Sequence, residues 1–164
     1  MIMPLCEGGG QEKGLRSGTE NLAAIAAMAK ATRLLLDGED EKAARELAIK
    51  TRISDYLKDK PGIHIFSPLK ADFAPHILCF ALEGIRGETL VHTLEEQDIF
   101  ISTTSACSSK TADEASTLVA MKTPDPIATS AVRLSFDESN TLEEADQLSR
   151  SLTRSTSTLP RLTI

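Results

Sequence analysis

The chain lacks tryptophan, has one tyrosine, and carries only three cysteines in 164 residues. It has no long apolar run. The longest is residues 22–29, eight residues, against the roughly 18 that a bilayer-spanning helix needs. The start, MIMPLCEGGGQ, has no basic segment followed by an apolar one, so no secretory leader is expected. Basic charge is also short: 18 Lys and Arg against 24 Asp and Glu, a net charge of −6. That balance argues against nonspecific nucleic-acid binding, which needs a basic surface. The cysteines, Cys6, Cys79 and Cys107, are odd in number and far apart, with no CxxC or Cys/His pairing. Neither a disulfide framework nor a metal centre is expected. A reducing, cytoplasmic setting follows, in which each cysteine is a small buried hydrophobe or a chemical thiol.

What is present suits a soluble globular protein, with 41% apolar and 26% charged residues. The length fits one domain or two. A chain of this size buries about 70% of the surface it exposes unfolded, enough to fold without staples.

Five glycines fall in residues 8–18, which reads as a loop needing positive φ or close backbone approach. Thr19 stands where a helix N-cap belongs, and residues 20–36 form an expected helix, apolar nearly all round and so covered on both sides. Asp37-Gly38 breaks it. A second helix is expected from Glu39 to about Lys58, with Ile49, Ile53, Tyr56 and Leu57 as its stripe, stopped by Pro61-Gly62. Short strands then alternate with short helices. Strands are expected at 63–66, 77–82, 99–102 and 131–136, and helices at 87–97 and 113–121. Thr141-Leu142-Glu143-Glu144 is a capping box opening a last helix, with Leu142, Ala145, Leu148 and Leu152 inward. The Ser/Thr-rich tail after Arg154 is expected to fray. The pattern predicts an α/β layered domain entered by two long helices.

Three places invite chemistry. Cys107 lies in Ser102-Thr103-Thr104-Ser105-Ala106-Cys107-Ser108-Ser109-Lys110, a run of small polar residues in which a thiol can meet a substrate. An ordinary loop cysteine is the blander alternative. Cys79, inside an apolar run, is less accessible. The glycine-rich loop could cradle a phosphate, although it matches neither a P-loop nor a dinucleotide fingerprint; loop geometry alone also explains it. Arg133, within the apolar strand 131–136, could hold a carboxylate bidentately or simply face solvent. His64, His76 and His92 are scattered, and no chemistry is placed on them.

Together and in order these pieces resemble a known family. Residues 8–21, GGGQEKGLRSGTEN, are similar to the GGGQE(R/K)GLRSGTxN stretch of NifS/IscS-type cysteine desulfurases, pyridoxal-phosphate enzymes of the class V aminotransferase family. Ser105-Ala106-Cys107-Ser108-Ser109 matches the family's SACSS persulfide loop. Ala131-Val132-Arg133-Leu134-Ser135 with Asn140-Thr141-Leu142-Glu143-Glu144 resembles its (L/V)RxS…(N/T)TxEE segment. The resemblance runs from about residue 7 to 153. It implies the C-terminal part of the class V aminotransferase fold, with long helices leading into a small α/β domain whose short sheet is covered by helices. Residues 1–59 would close the cofactor domain and 60–164 form the small domain carrying the persulfide loop.

In such enzymes sulfur passes from L-cysteine to an active cysteine as a persulfide, and alanine is released. By resemblance Cys107 is that nucleophile, Arg133 clamps the substrate carboxylate, and Thr19 binds the cofactor phosphate of the partner subunit in a homodimer. A sulfur-acceptor protein, an iron–sulfur scaffold or a tRNA-thiolation enzyme, is the implied partner, with no membrane and no direct nucleic-acid contact. The family's cofactor lysine follows a histidine upstream of the glycine-rich loop, and this sequence has no His-Lys pair. The chain alone is therefore expected to be inactive. The resemblance also departs at Thr103-Thr104 and Phe136-Asp137, where Ser-Gly and Leu-Gly are commoner. The rival readings are a non-catalytic split half or remnant that binds a partner subunit or sulfur acceptor, and another class V enzyme, against which the SACSS loop argues.

Overall fold

The computed structural model describes residues 3–103 and 116–159. The chain divides into two compact units, Met1–Glu39 and Asp40–Ile164.

In the first unit, a short 3-10 turn at Gln11–Gly14 precedes helix α1, Leu22–Leu36. Glu12 and Lys13 take left-handed φ of 50° and 59°, and Gly14 continues at 78°. Such a run reverses the chain at a cost that only glycine escapes. Asn21, not Thr19, caps α1: its side-chain oxygen accepts from the Ala24 N–H at 3.0 Å. Asparagine is as good a cap as any residue, and it stands directly ahead of Leu22. No residue of α1 is buried. Leu22, Ile25, Met28 and Leu34–Leu36 are all exposed, so the covering expected on both sides is not found among the described residues.

The second unit is built on a four-stranded antiparallel sheet. Its strands are β1 (Ile63–Ile65), β2 (Ile77–Leu82), β3 (Ser102–Thr103) and β4 (Ala131–Ser135), in the order β1-β2-β4-β3. Around it lie α2 (Glu39–Leu57), α3 (Gly87–Glu95), α4 (Ser116–Ala120), α5 (Asp125–Ala128) and α6 (Leu142–Thr158). The α/β expectation is met, with a short sheet and helices.

Alternation along β2 and β4 decides what faces what. Leu78 pairs with Leu134 and Phe80 with Val132 across the two strands. These four residues are buried with Ile49, Ile53 and Leu57 of α2, Leu90 and Leu94 of α3, and Ala145, Leu148 and Leu152 of α6. On the other face Ala81 pairs with Ala131, and both are buried with Leu118 of α4 and Ala128 of α5. That cover reaches only one end of the face. Gly87 opens α3 against the start of β4: its N–H donates to the Thr129 carbonyl at 3.0 Å. A Cβ there would lie 2.8 Å from the Ala131 carbonyl oxygen, so the close approach requires glycine.

Helices α2 and α6 are tied by a bidentate Arg52–Asp146 ion pair at 2.7 and 3.1 Å and by Tyr56 and Thr153 hydroxyls at 2.6 Å. The capping box of α6 forms as its sequence predicts. The Glu144 N–H donates to Thr141 Oγ1 at 3.2 Å, and the Thr141 N–H donates to Glu144 Oε2 at 2.8 Å.

Four details differ from the sequence reading. Residues 99–101 do not join the sheet, so β3 keeps only two residues. Helix α5, at Asp125-Pro126-Ile127-Ala128, was not foreseen; Pro126 sits in its first turn, where its missing N–H costs nothing. Leu142 is 48% exposed, because it occupies the first turn of α6 beyond the packed stripe. That helix also runs on to Thr158 rather than fraying after Arg154. Leu152, Ser151 and Ser155 are buried on it, and the Thr156 hydroxyl donates to the Leu152 carbonyl at 2.9 Å.

Phe80→Ala is expected to lower the unfolding free energy by about 3–5 kcal/mol, read from the urea midpoint, since it empties the centre of the core. The Thr141 N–H holds the Glu144 carboxyl below its ordinary range, and Arg52 does the same for Asp146. Their contribution is whole at neutral pH and is lost as pH falls through these lowered values. The urea midpoint should therefore drop on acidification, and less steeply in Glu144→Gln; an equal drop in both proteins would contradict the assignment.

Candidate functional site

The face of the sheet left open beyond α4 and α5 carries the polar residues. Register places Ile77 opposite Ser135, and Cys79 opposite Arg133. Ser102 of β3 stands on the other side of Arg133. Cys79, Arg133 and Ser102 thus form one row across three strands, with neighbouring Cβ atoms about 4.5–5.5 Å apart in such pairs. Arg133 is exposed between two neighbours that are buried, Val132 and Leu134. Period-2 alternation in a strand buried on one face produces this. No described carboxylate forms an ion pair with Arg133, so its guanidinium can receive one from outside.

Cys79 is half-buried. Its backbone is fixed from the β1 side: its N–H donates to Ser67 Oγ at 2.6 Å, and its carbonyl accepts from the Phe66 N–H at 2.9 Å. Burial pushes the thiol up from its ordinary range, while the Arg133 charge pulls it the other way and loses. The thiol therefore stays protonated at neutral pH.

Thr19 lies in the first unit, exposed, two residues ahead of the Asn21 cap. The loop leading to it is tied across itself. Ser17 Oγ donates to the Gly9 carbonyl at 3.0 Å, and the Gly18 N–H donates to Gln11 Oε1 at 3.4 Å. Cys107 lies outside the described residues; in the sequence it follows the end of β3 by four positions. Thr19 and Arg133 belong to different units.

A cleft of about 350 Å³ lies on the helix-covered side, where Leu134 rather than Arg133 lines it, with Phe100, Phe136 and Leu148. It is not the polar face. The three histidines each lie near a glutamate: His64 with Glu83 at 2.6 Å, His92 with Glu95 at 3.0 Å and His76 with Glu46 at 3.9 Å. Among the described residues no cluster of His, Cys, Asp or Glu could hold a metal, and no helix is long and apolar enough to cross a membrane.

For pyridoxal phosphate, the residues fit only in part. Thr19 offers a hydroxyl and Arg133 a cation for the substrate, but a Schiff base needs a free amine. Lys50, the buried lysine, donates to the Ala74 carbonyl at 2.9 Å. Lys42 and Lys58 pair with Glu138 and Asp55, and Lys60 lies over the Tyr56 ring. The other described lysines, Lys13, Lys30, Lys70 and Lys122, are exposed, so no described lysine is both enclosed and without a partner.

Sequence reading did not foresee the place of Cys79 beside Arg133 or the burial of Lys50. A parity signal existed for the first: 77, 79 and 81 alternate with the bulky 78, 80 and 82. For Lys50 the signal was its place three residues before Ile53 on the packed stripe.

The family description "Aminotransferase class-V" matches residues 6–148. A "NifS/IcsS protein homolog" of Lactobacillus delbrueckii subsp. bulgaricus is 88% identical over 147 residues, covering 90% of this chain and 38% of that protein. "Cysteine desulfurase IscS" of Photobacterium profundum is 34% identical, covering 85% of this chain and 34% of that protein. A solved "NIFS-LIKE PROTEIN" superposes with a TM-score of 0.75 at 32% identity, covering 95% of this chain and 39% of its own. The NifS-like protein of Rickettsia africae gives 0.77 at 24% identity, which speaks to fold alone. The chain spans less than two-fifths of the length of these curated relatives.

Peptide mapping after iodoacetamide at pH 7.5 should find exposed Cys6 alkylated well before Cys79. Faster labelling of Cys79 would contradict a protonated, half-buried thiol.

Proposed function

Because the chain belongs to the class-V aminotransferase family, whose members depend on pyridoxal phosphate, we propose that it is the sulfur-carrying part of a cysteine desulfurase. The observation that supports this best is the open polar row on the sheet. Arg133, without an ion-pair partner among the described residues, stands beside β3, and in the sequence Cys107 follows β3 within Ser105–Ser109. A cation for an α-carboxylate and a thiol for the sulfur then issue from neighbouring strands.

In this reading Arg133 binds the carboxylate of L-cysteine by charge-assisted, bidentate hydrogen bonds. That contact fixes the amino acid's orientation and turns its side chain toward the thiol. The Cys107 thiolate attacks the substrate sulfur and keeps it as a persulfide, and the carbon skeleton leaves as alanine. The cofactor, when bound, supplies the electron sink for breaking the carbon–sulfur bond. Thr19 serves the cofactor phosphate across a homodimer interface, where its exposed hydroxyl and the glycine loop suit an anion. Onward delivery goes to a cytoplasmic sulfur acceptor, an iron–sulfur scaffold or a tRNA-thiolation enzyme.

A second reading takes up the exposed apolar residues of α1, Leu22, Ile25, Met28 and Leu34–Leu36, which suit a covering surface: a split half or remnant that binds a partner subunit. Mixing the 164-residue chain with an N-terminal half separates the two. Alanine from L-cysteine and pyridoxal phosphate, with sulfide released when a dithiol reductant is added, supports the enzyme; a stable complex without turnover supports the remnant.

In a complete chain where this segment replaces the matching part of the Lactobacillus relative, Cys107→Ser should cut alanine formation by more than about a hundredfold. Arg133→Ala should raise KM for L-cysteine about ten- to a hundredfold, the loss of a charged hydrogen bond pair. Persulfide formation that survives Cys107→Ser would overturn the assignment.

A further inference from the structure

We propose that Cys79 is a positioning residue for Arg133: a small, uncharged side chain paired with it in strand register, which leaves the guanidinium free for an incoming carboxylate. The inference rests on the reading of Arg133 as the substrate clamp and adds the residue that keeps the clamp open.

Three observations carry it. First, register puts Cys79 and Ser102 on either side of Arg133. A side chain in either place touches the arginine stem before any ligand does. Both are short and neither carries a carboxylate. An aspartate at such a distance would close a bidentate ion pair and compete with substrate. Second, Cys79 is the better anchored of the two. Its N–H and carbonyl are held by Ser67 Oγ at 2.6 Å and the Phe66 N–H at 2.9 Å, so the backbone that carries its side chain beside Arg133 is fixed. Third, the inward neighbours Leu78 and Phe80 are fully buried, which prevents the strand from turning Cys79 away. Burial keeps the thiol protonated, so the second thiol neither pairs with the arginine as a thiolate nor competes for sulfur.

The test uses the complete chain with the Lactobacillus relative's matching part replaced, loaded with pyridoxal phosphate, and follows alanine release from L-cysteine. Cys79→Asp should raise KM about ten- to a hundredfold, as an internal ion pair replaces the substrate's, with kcat changed less than about twofold. Cys79→Asn has the same shape without the charge and should restore KM. An equal KM rise in the Asn variant would show a steric effect and overturn the proposal, as would an unchanged KM in the Asp variant when Arg133→Ala raises it. If Arg133→Ala also leaves KM unchanged, the clamp itself is wrong and both readings fall. A variant that melts before assay is replaced by Cys79→Glu, whose longer arm reaches the guanidinium from the same position; its KM then decides in the same way.

Discussion

Everything functional in the larger unit depends on one constraint: the period-2 alternation of β4 against a core on one side. Val132 and Leu134 must face α2, α3 and α6, where they pack on Phe80 and Leu78. Arg133 has no choice but the opposite face. A register slip of one residue would bury its charge and expose two branched side chains, at a cost comparable with the whole stability of a small domain. The core thereby fixes the direction of the cation that the proposed chemistry uses.

That face is then divided by size. Toward one end Ala81 and Ala131 are small enough for α4 and α5 to approach and cover them. Gly87 brings the start of α3 against the same end of β4. Toward the other end, Cys79, Arg133, Ser102 and Ser135 are left uncovered by these helices. Small residues thus divide one surface: alanines admit packing, and the cysteine and serines leave Arg133 exposed. The first unit works differently. It holds its loop by internal hydrogen bonds and left-handed backbone, and its helix exposes leucines that a solitary domain would bury.

Much of this was legible in the sequence for physical reasons. Long periodic segments give themselves away, so α1, α2 and β2 fell nearly where expected, and the Thr141/Glu144 box marked α6 to the residue. The glycine-rich stretch, the SACSS loop and the Arg133 strand pointed to the family. What was not legible depends on pairing between distant segments. Cys79 read as a buried hydrophobe because register with β4 is invisible until the sheet forms. Lys50 drew no reading from the sequence, since nothing local says that Ala74 will accept from it. Asn21 displaced Thr19 as the cap because two good caps lie two residues apart and local pattern does not choose between them. Helix α6 outran its expected end because burial of Leu152 and Ser155 outweighs the weak helix preference of serine and threonine.

The central claim is that Cys107, and neither Cys79 nor Cys6, receives sulfur from an amino acid held at Arg133. Peptide mass mapping after a single turnover with sulfur-34-labelled L-cysteine, in the complete chain with cofactor, tests it directly. The account predicts one labelled sulfur on the peptide bearing Cys107, and about ten- to a hundredfold slower labelling there in Arg133→Ala under subsaturating substrate. Label on Cys79 or Cys6 instead, or label on Cys107 undiminished without Arg133, would contradict it.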